Sequence, residues 1–197
     1  NPNLCARYMG ALIRGVSVKE SPEWLKQRLN KIGEKPVNNI VDITNYVMFE
    51  LGQPLHAFDF KVIEGQSITV RQSIIGEKIT TIDNQSRELG QEVVVISDNE
   101  KPIGIAGIMG GKESEISPTT KNVFLESACF NREYNRKSAK KLNMKTEATL
   151  RFEKGLNPKL CEIGIKRSID LILKMTNGKL TGPIQDEWIK DKNIKKI

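Results

Sequence analysis

Residues 92–109 read EVVVISDNEKPIGIAGIM, two apolar, partly β-branched runs parted by the turn-forming Asp98 and Asn99. Similar runs lie on either side, at 67–73 (SITVRQS), 78–83 (KITTID) and 121–128 (KNVFLESA), again separated by Gly, Asn and Asp turns. Such β-branched or alternating runs bounded by turn residues predict strands. Together they predict a sheet of about five strands between residues 66 and 128.

Outside this block the pattern changes. Residues 8–18 (YMGALIRGVSV) read as one more strand. Ser21-Pro22-Glu23 then predicts a helix start, with Ser21 as cap, a proline and an acid in the first turn, Trp24, Leu25, Leu29 and Ile32 on the buried side, and Gly33 at the end. Val37, Ile40, Val41, Val47, Met48 and Leu51 recur at helical spacing, and that stripe stops at Gly52 and Pro54, delivering the chain to His56. Further helices are expected around 131–143 and 157–177, the latter with Pro158 in its first turn and Gly178 beyond its end. The resulting class is α+β, a largely antiparallel central sheet flanked by helices. Residues 1–185 are expected to form the folded unit and the polar, lysine-rich 186–197 a linker.

The 197 residues are 38% hydrophobic and 28% charged, an ordinary globular balance, and no run approaches the roughly 20 apolar residues of a membrane span. The N-terminus lacks Met and has neither a basic start nor an apolar signal core, as expected of a segment of a longer protein or a processed chain. Cys5, Cys129 and Cys161 are far apart and form no CxxC pair, which argues against a disulfide framework or a zinc site and for a reduced, cytoplasmic setting. Net charge is +7, and residues 131–154 contribute +5 of it through eight Lys or Arg against three Glu. On a helix Arg132, Arg136 and Lys140 share one face, as do Lys137 and Lys141; such a stripe suits a phosphate backbone, and a solvated face has the same composition.

Three further features carry candidate chemistry. His56, the only histidine, follows Gly52 and Pro54; with no second histidine or clustered cysteine it has no metal-ligand set, and it reads either as a structural or as a functional imidazole. Residues 104–112 (GIAGIMGGK) form a glycine-rich turn that fails the phosphate-loop spacing, since Ala106 stands where the first glycine is needed and Glu113 follows Lys112. What remains is a tight turn or a place where a ligand approaches the backbone closely. In 123–128 (VFLESA), alternation places Phe124 and Glu126 on one face, so an inward Phe124 implies an inward carboxylate that requires a partner, either a basic side chain or a ligand. Thr146, Ala148 and Thr149 are small enough to line a pocket floor.

DITNYV with GQPLHAFD, then GIAGIMGG, NVFLESACF and TEATLRFEKGLNP, occur in this order between about residues 8 and 178. Jointly they resemble the B3/B4 editing region of the bacterial-type phenylalanyl-tRNA synthetase beta chain. The resemblance implies two interleaved subdomains and a hydrolytic site that clears tyrosine from the phenylalanine tRNA, remote from the aminoacylation site. It implies His56 as the editing histidine and Glu126 as the group that recognises the tyrosine hydroxyl, these two being the catalytic candidates. Gly107 and Gly110 would belong to the pocket-lining loop, and Thr146 and Ala148 would border the substrate. The implied partners are the tRNA 3′ end, reached by Lys35, Arg132, Arg136, Lys140 and Lys145, the tyrosyl moiety, and the synthetase alpha subunit; no membrane is involved. Lys35 stands where relatives can carry Arg. No metal or other cofactor is implied here; ATP and magnesium would bind elsewhere in the full synthetase. A non-catalytic RNA-binding or structural module of the synthetase is the alternative, and a free-standing editing protein acting in trans a third reading.

Overall fold

The computed structural model describes residues 1–188. In chain order the elements are β1 (Cys5–Arg14), α1 (Glu23–Lys31), α2 (Asn39–Leu51), β2 (Leu55–Asp59), β3 (Thr69–Gln72), β4 (Lys78–Thr80), β5 (Ser86–Glu88), β6 (Val94–Ser97), β7 (Pro102–Ile105), β8 (Met109–Gly110), β9 (Asn122–Phe130), α3 (Arg132–Lys141), α4 (Glu147–Phe152), α5 (Leu160–Met175) and β10 (Lys179–Trp188). The class is α+β and every strand pairing is antiparallel.

The single five-stranded sheet expected from the sequence is divided. One sheet has the order β10-β1-β9-β2, a second has β3-β6-β7-β8, and β4-β5 form a separate ribbon. The strand at 121–128 therefore leaves its sequence neighbours and pairs with β1 and β2 instead. The run at 101–109 is also two strands, because Gly107 turns the chain at φ +66° between β7 and β8.

Alternation along the first sheet sorts its side chains into two layers. Met9, Ala11, Ile13, Val123, Leu125 and Ala57 pack against Leu25, Leu29, Ile40, Ile43, Val47, Ile165, Ile169 and Ile172 of the helices. The opposite face meets the second sheet through Phe58, Ala128 and Phe130 against Val94, Ile96, Ile103 and Ala106. A third cluster, with Val93, Val95, Ile105, Ile108 and Met144, closes the far side of the second sheet. The two sheets thus face one another across a seam, and the functional candidates fall along it.

The helix boundaries follow their local chemistry, with one exception. Asn38 caps α2 by accepting from the amides of Ile40 and Val41, and Gly52 ends it in the left-handed conformation. Ser21 does not cap α1: its hydroxyl donates to buried Asp42 at 2.5 Å, and Pro22 occupies the capping position without a side-chain bond. Trp24 and Ile32, expected on the buried side, are exposed at 40% and 50%. Trp24 instead packs edge-on against Tyr46 on the helix exterior.

The boundary expected between residues 185 and 186 lies inside β10, which continues to Trp188. Asp186 ties this strand to β1 by accepting two hydrogen bonds from Arg7, at 2.8 and 2.7 Å. Arg7 is buried, also donates to the Pro158 carbonyl, and lies 4.2 Å from the centre of the Trp188 ring. The remainder of the expected linker, 189–197, lies outside the described residues. No described helix is long and apolar enough to cross a membrane.

Candidate functional site

The seam between the sheets opens into a cavity of about 330 Å³, within the size range of small-molecule sites. His56, Glu126, Gly107, Gly110, Thr146 and Ala148 all line it, although 92 positions of sequence separate His56 from Ala148. Three elements bring them together: the β2–β9 ladder, the β7–β8 turn and the N-terminal turn of α4.

His56 and Glu126 are cross-strand partners, and Glu126 is in turn opposite Gly10 of β1. Directly paired residues project to the same side of a sheet, so register alone aims the imidazole and the carboxyl at the seam. His56 packs edge-on against Phe58, 4.4 Å between ring centres. Its Nε2 is enclosed and has no hydrogen-bond partner among the described residues. Burial lowers the imidazole to about 4, so it is neutral at physiological pH. In that state one ring nitrogen donates and the other accepts.

Glu126 is 4% exposed. Its Oε2 accepts a 2.7 Å hydrogen bond from the hydroxyl of Tyr8 on the neighbouring strand β1, on the side of β9 away from β2. No basic side chain neutralises it among the described residues. Desolvation raises the carboxyl to about 7, against the opposing pull of the Tyr8 bond. The Tyr8 phenol is itself pushed well above its ordinary value, first by burial and then by the adjoining carboxyl. Tyr8 was not singled out from the sequence. Its one available signal was a polar phenol at an inward position of an apolar strand, and nothing local indicated a partner 118 residues away.

The glycine turn supplies the opposite wall. A Cβ on Gly110 would come within 2.4 Å of His56 Cε1, and one on Gly107 within 2.6 Å of Asn135 Nδ2. Asn135 donates to the carbonyls of Ala106 and Gly107 at 3.0 and 3.1 Å, fastening the turn to α3. The amides of Ala106, Ile108 and Gly111 are bonded inside the fold. The Gly107 amide has no acceptor among the described residues. Thr146 caps α4 by accepting from the Thr149 amide, and its hydroxyl donates to the Ile108 carbonyl at 3.2 Å. That bond holds the small residues of α4 against the turn.

The predicted cations are distributed differently. Lys35 is exposed beside Glu34, which lines the cavity. Arg132, Arg136 and Lys140 occupy the exposed face of α3, opposite buried Asn135 and Ser138. Arg136, Lys140 and Lys145 line a second, more open depression between α3 and α4, and Arg132 lies outside it. None of these four is within ion-pair distance of an acidic group among the described residues.

A family model for the B3/4 domain matches residues 4–177. The chain belongs to the B3/4 domain family. As a B3/4 domain it is 48% identical over 194 residues to a phenylalanine–tRNA ligase beta subunit from Carboxydothermus hydrogenoformans, covering 96% of this chain and 24% of that protein. It is 44% identical to the corresponding subunit of Dehalococcoides mccartyi, over 94% of this chain and 23% of the relative. Against Protochlamydia amoebophila the values are 45% identity, 95% and 23%. The chain thus spans about a quarter of the length of these relatives. A crystal structure of an N-terminal fragment of the phenylalanyl-tRNA synthetase beta subunit from Pyrococcus horikoshii shares the fold, with a TM-score of 0.56 at 12% identity over 88% of this chain and 46% of that one.

Proposed function

We propose that this B3/4 domain is the editing region of a phenylalanine–tRNA ligase beta subunit, hydrolysing tyrosine mischarged onto the phenylalanine tRNA. The observation that carries the reading is Glu126, a desolvated carboxyl without a cationic partner, on the wall of an amino-acid-sized cavity. Phenylalanine and tyrosine differ by one hydroxyl, which an apolar synthetic pocket rejects only weakly, so a second site that demands the hydroxyl is useful. A tyrosyl phenol donating to Glu126 would satisfy a buried acceptor. A phenylalanyl ring would leave it unmet, at a cost of about 1–3 kcal/mol.

The ester is already activated, so positioning and charge stabilisation suffice for much of the rate. Water adds to the ester carbonyl carbon, a tetrahedral oxyanion forms, and the ribose oxygen leaves with a proton. His56, which is neutral, would position the water or the 3′ adenosine by hydrogen bonding; at about 4 it is too weak a base to carry the proton by itself. The Gly107 amide is the donor we assign to the oxyanion. The unpaired cations of α3 and Lys145 would meet tRNA phosphates, and Lys35 would approach the 3′ end. ATP-dependent aminoacylation and the alpha-subunit contact would belong to other parts of the synthetase.

A second reading, a non-catalytic RNA-binding module, is favoured by the same unpaired cations. Deacylation of tyrosyl-tRNA in the intact synthetase separates the two. Editing predicts acceleration that His56→Ala and Glu126→Ala both reduce; no acceleration, or indifference to both changes, leaves the binding module.

A further inference from the structure

The hydroxyl that Glu126 meets within the fold is that of Tyr8, a phenol of the protein's own. Tyr8 and Glu126 lie on adjacent strands, with Tyr8 opposite Ala128 and Gly10 opposite Glu126, so the phenol reaches the carboxyl diagonally along the shared face. The bond occupies Oε2. Oε1 makes no hydrogen bond among the described residues, and Glu126 lines the cavity. The space beside the carboxyl on the β1 side is closed by the ring of Phe124, whose Cζ comes within 2.3 Å of where a Gly10 Cβ would stand. The carboxyl therefore has one oxygen tethered within the protein and one without a hydrogen bond among the described residues, on a side chain that lines the cavity.

From this geometry we infer that Tyr8 is a specificity-determining residue of the site: by tethering Oε2 it fixes the orientation of Glu126 and presents Oε1 as the acceptor for a ligand hydroxyl. The inference rests on the editing reading above and adds to it a residue outside the cavity lining. Two effects follow from one bond. The tether removes a rotational freedom that ligand binding would otherwise have to freeze, and it stabilises the ionised carboxyl, the form that accepts from a phenol at both oxygens.

The other titratable groups facing Glu126 do not substitute for Tyr8. Cys5 on β1 is held protonated by burial and by the carboxyl itself, His56 on β2 is neutral above about 4, and Glu34 and Glu147 at the cavity lining carry the same charge sign as Glu126. Tyr8 is the group whose hydrogen bond draws Glu126 toward ionisation.

The test compares Tyr8→Phe, which deletes one oxygen and keeps the ring, with Glu126→Ala and the unaltered protein. Carbon-13 NMR of labelled glutamate follows the carboxyl without any ligand, and equilibrium binding of L-tyrosine and L-phenylalanine at pH 8 follows discrimination. Tyr8→Phe is expected to move the Glu126 midpoint upward from about 7 and to reduce the tyrosine-over-phenylalanine preference by roughly threefold to tenfold. Glu126→Ala should abolish the preference. If Glu126→Ala abolishes it while Tyr8→Phe leaves midpoint and preference unchanged, Tyr8 has no such role and the editing reading stands. If the unaltered protein shows no preference while Tyr8→Phe still moves the midpoint, the hydroxyl-selection reading fails and the specificity role falls with it.

Discussion

The backbone of Gly110 lies flush against the His56 imidazole: a single added carbon on the glycine would stand 2.5 Å from Nε2, the one ring nitrogen that is sealed and unpartnered. Contact this close means that the two walls of the cavity, one from each sheet, are held at the distance a glycine permits. Gly110→Ala is therefore expected to push the imidazole out of place, reducing tyrosyl-tRNA deacylation at least tenfold while costing about 1–3 kcal/mol of stability. Rates measured beside a denaturant titration check this. A variant with full deacylation activity would place the reacting ester elsewhere.

His56 and Glu126 impose opposite pH dependences on stability. His56 falls from 6.5 to about 4 on folding, so its contribution is fully present above 6.5 and is lost as pH drops toward 4, where the unfolded chain takes the proton first. Glu126 rises from 4.5 to about 7, so its contribution is fully present below 4.5 and is lost as pH climbs to about 7. Each spans on the order of 3 kcal/mol, and between pH 4.5 and 6.5 the two largely cancel. Glu126→Gln should expose a rise in stability from pH 4 to 6.5, and His56→Gln a fall from pH 4.5 to 7. Urea midpoints across that range would show both slopes, and flat profiles in both variants would contradict the burial of the two groups.

Neutral His56 also predicts the activity profile. With the imidazole uncharged down to about pH 4, deacylation should show no inflection at the ordinary histidine value of 6.5 and a change near 7 as Glu126 ionises. The inflection near 7 should vanish in Glu126→Gln, as initial rates from pH 5 to 9 would reveal.

Arg7 gives a prediction about the fold. Its guanidinium is 2% exposed and joins β1, the start of α5 and β10 through Asp186, Pro158 and Trp188. Removing one member of a buried ion pair costs about 3–5 kcal/mol. Because the Asp186 carboxylate is partly exposed, Arg7→Met should fall at or below the low end of that range. Amide hydrogen exchange should accelerate most along β10, with β2 and β9 nearly unchanged.

What the sequence revealed, and what it concealed, follows the reach of each interaction. The end of α2 at Gly52, the helix expected around 131–143 and the inward Glu126 were legible because turn chemistry, helical patterning and alternation act over a few residues. The division into two sheets was not, because β9 leaves its strand-rich neighbours to pair with a segment more than 100 residues earlier. Ser21 fits the pattern of a cap for α1, but a buried carboxylate 21 positions on holds its hydroxyl. The brief α4 lay hidden among small polar residues, and its Thr146 and Thr149 form a reciprocal cap visible only in three dimensions. The cavity-lining candidates came from ordered motifs, whereas Tyr8 lay in none of them.

The pairing of His56 with Glu126 across one ladder has a bearing on how such a site can change over evolutionary time. Both side chains take their aim from the register of β2 on β9, so sliding β2 by one residue would turn the imidazole into the helical layer and present Leu55 or Ala57 in its stead. This wall has no small adjustments available to it; it is kept whole or lost whole. Accommodation of a differently shaped ligand falls instead to the head of α4, where Ala148 borders the cavity outside any ladder and can be exchanged without disturbing one. The domain thus pairs a wall that resists drift with one that can be retailored.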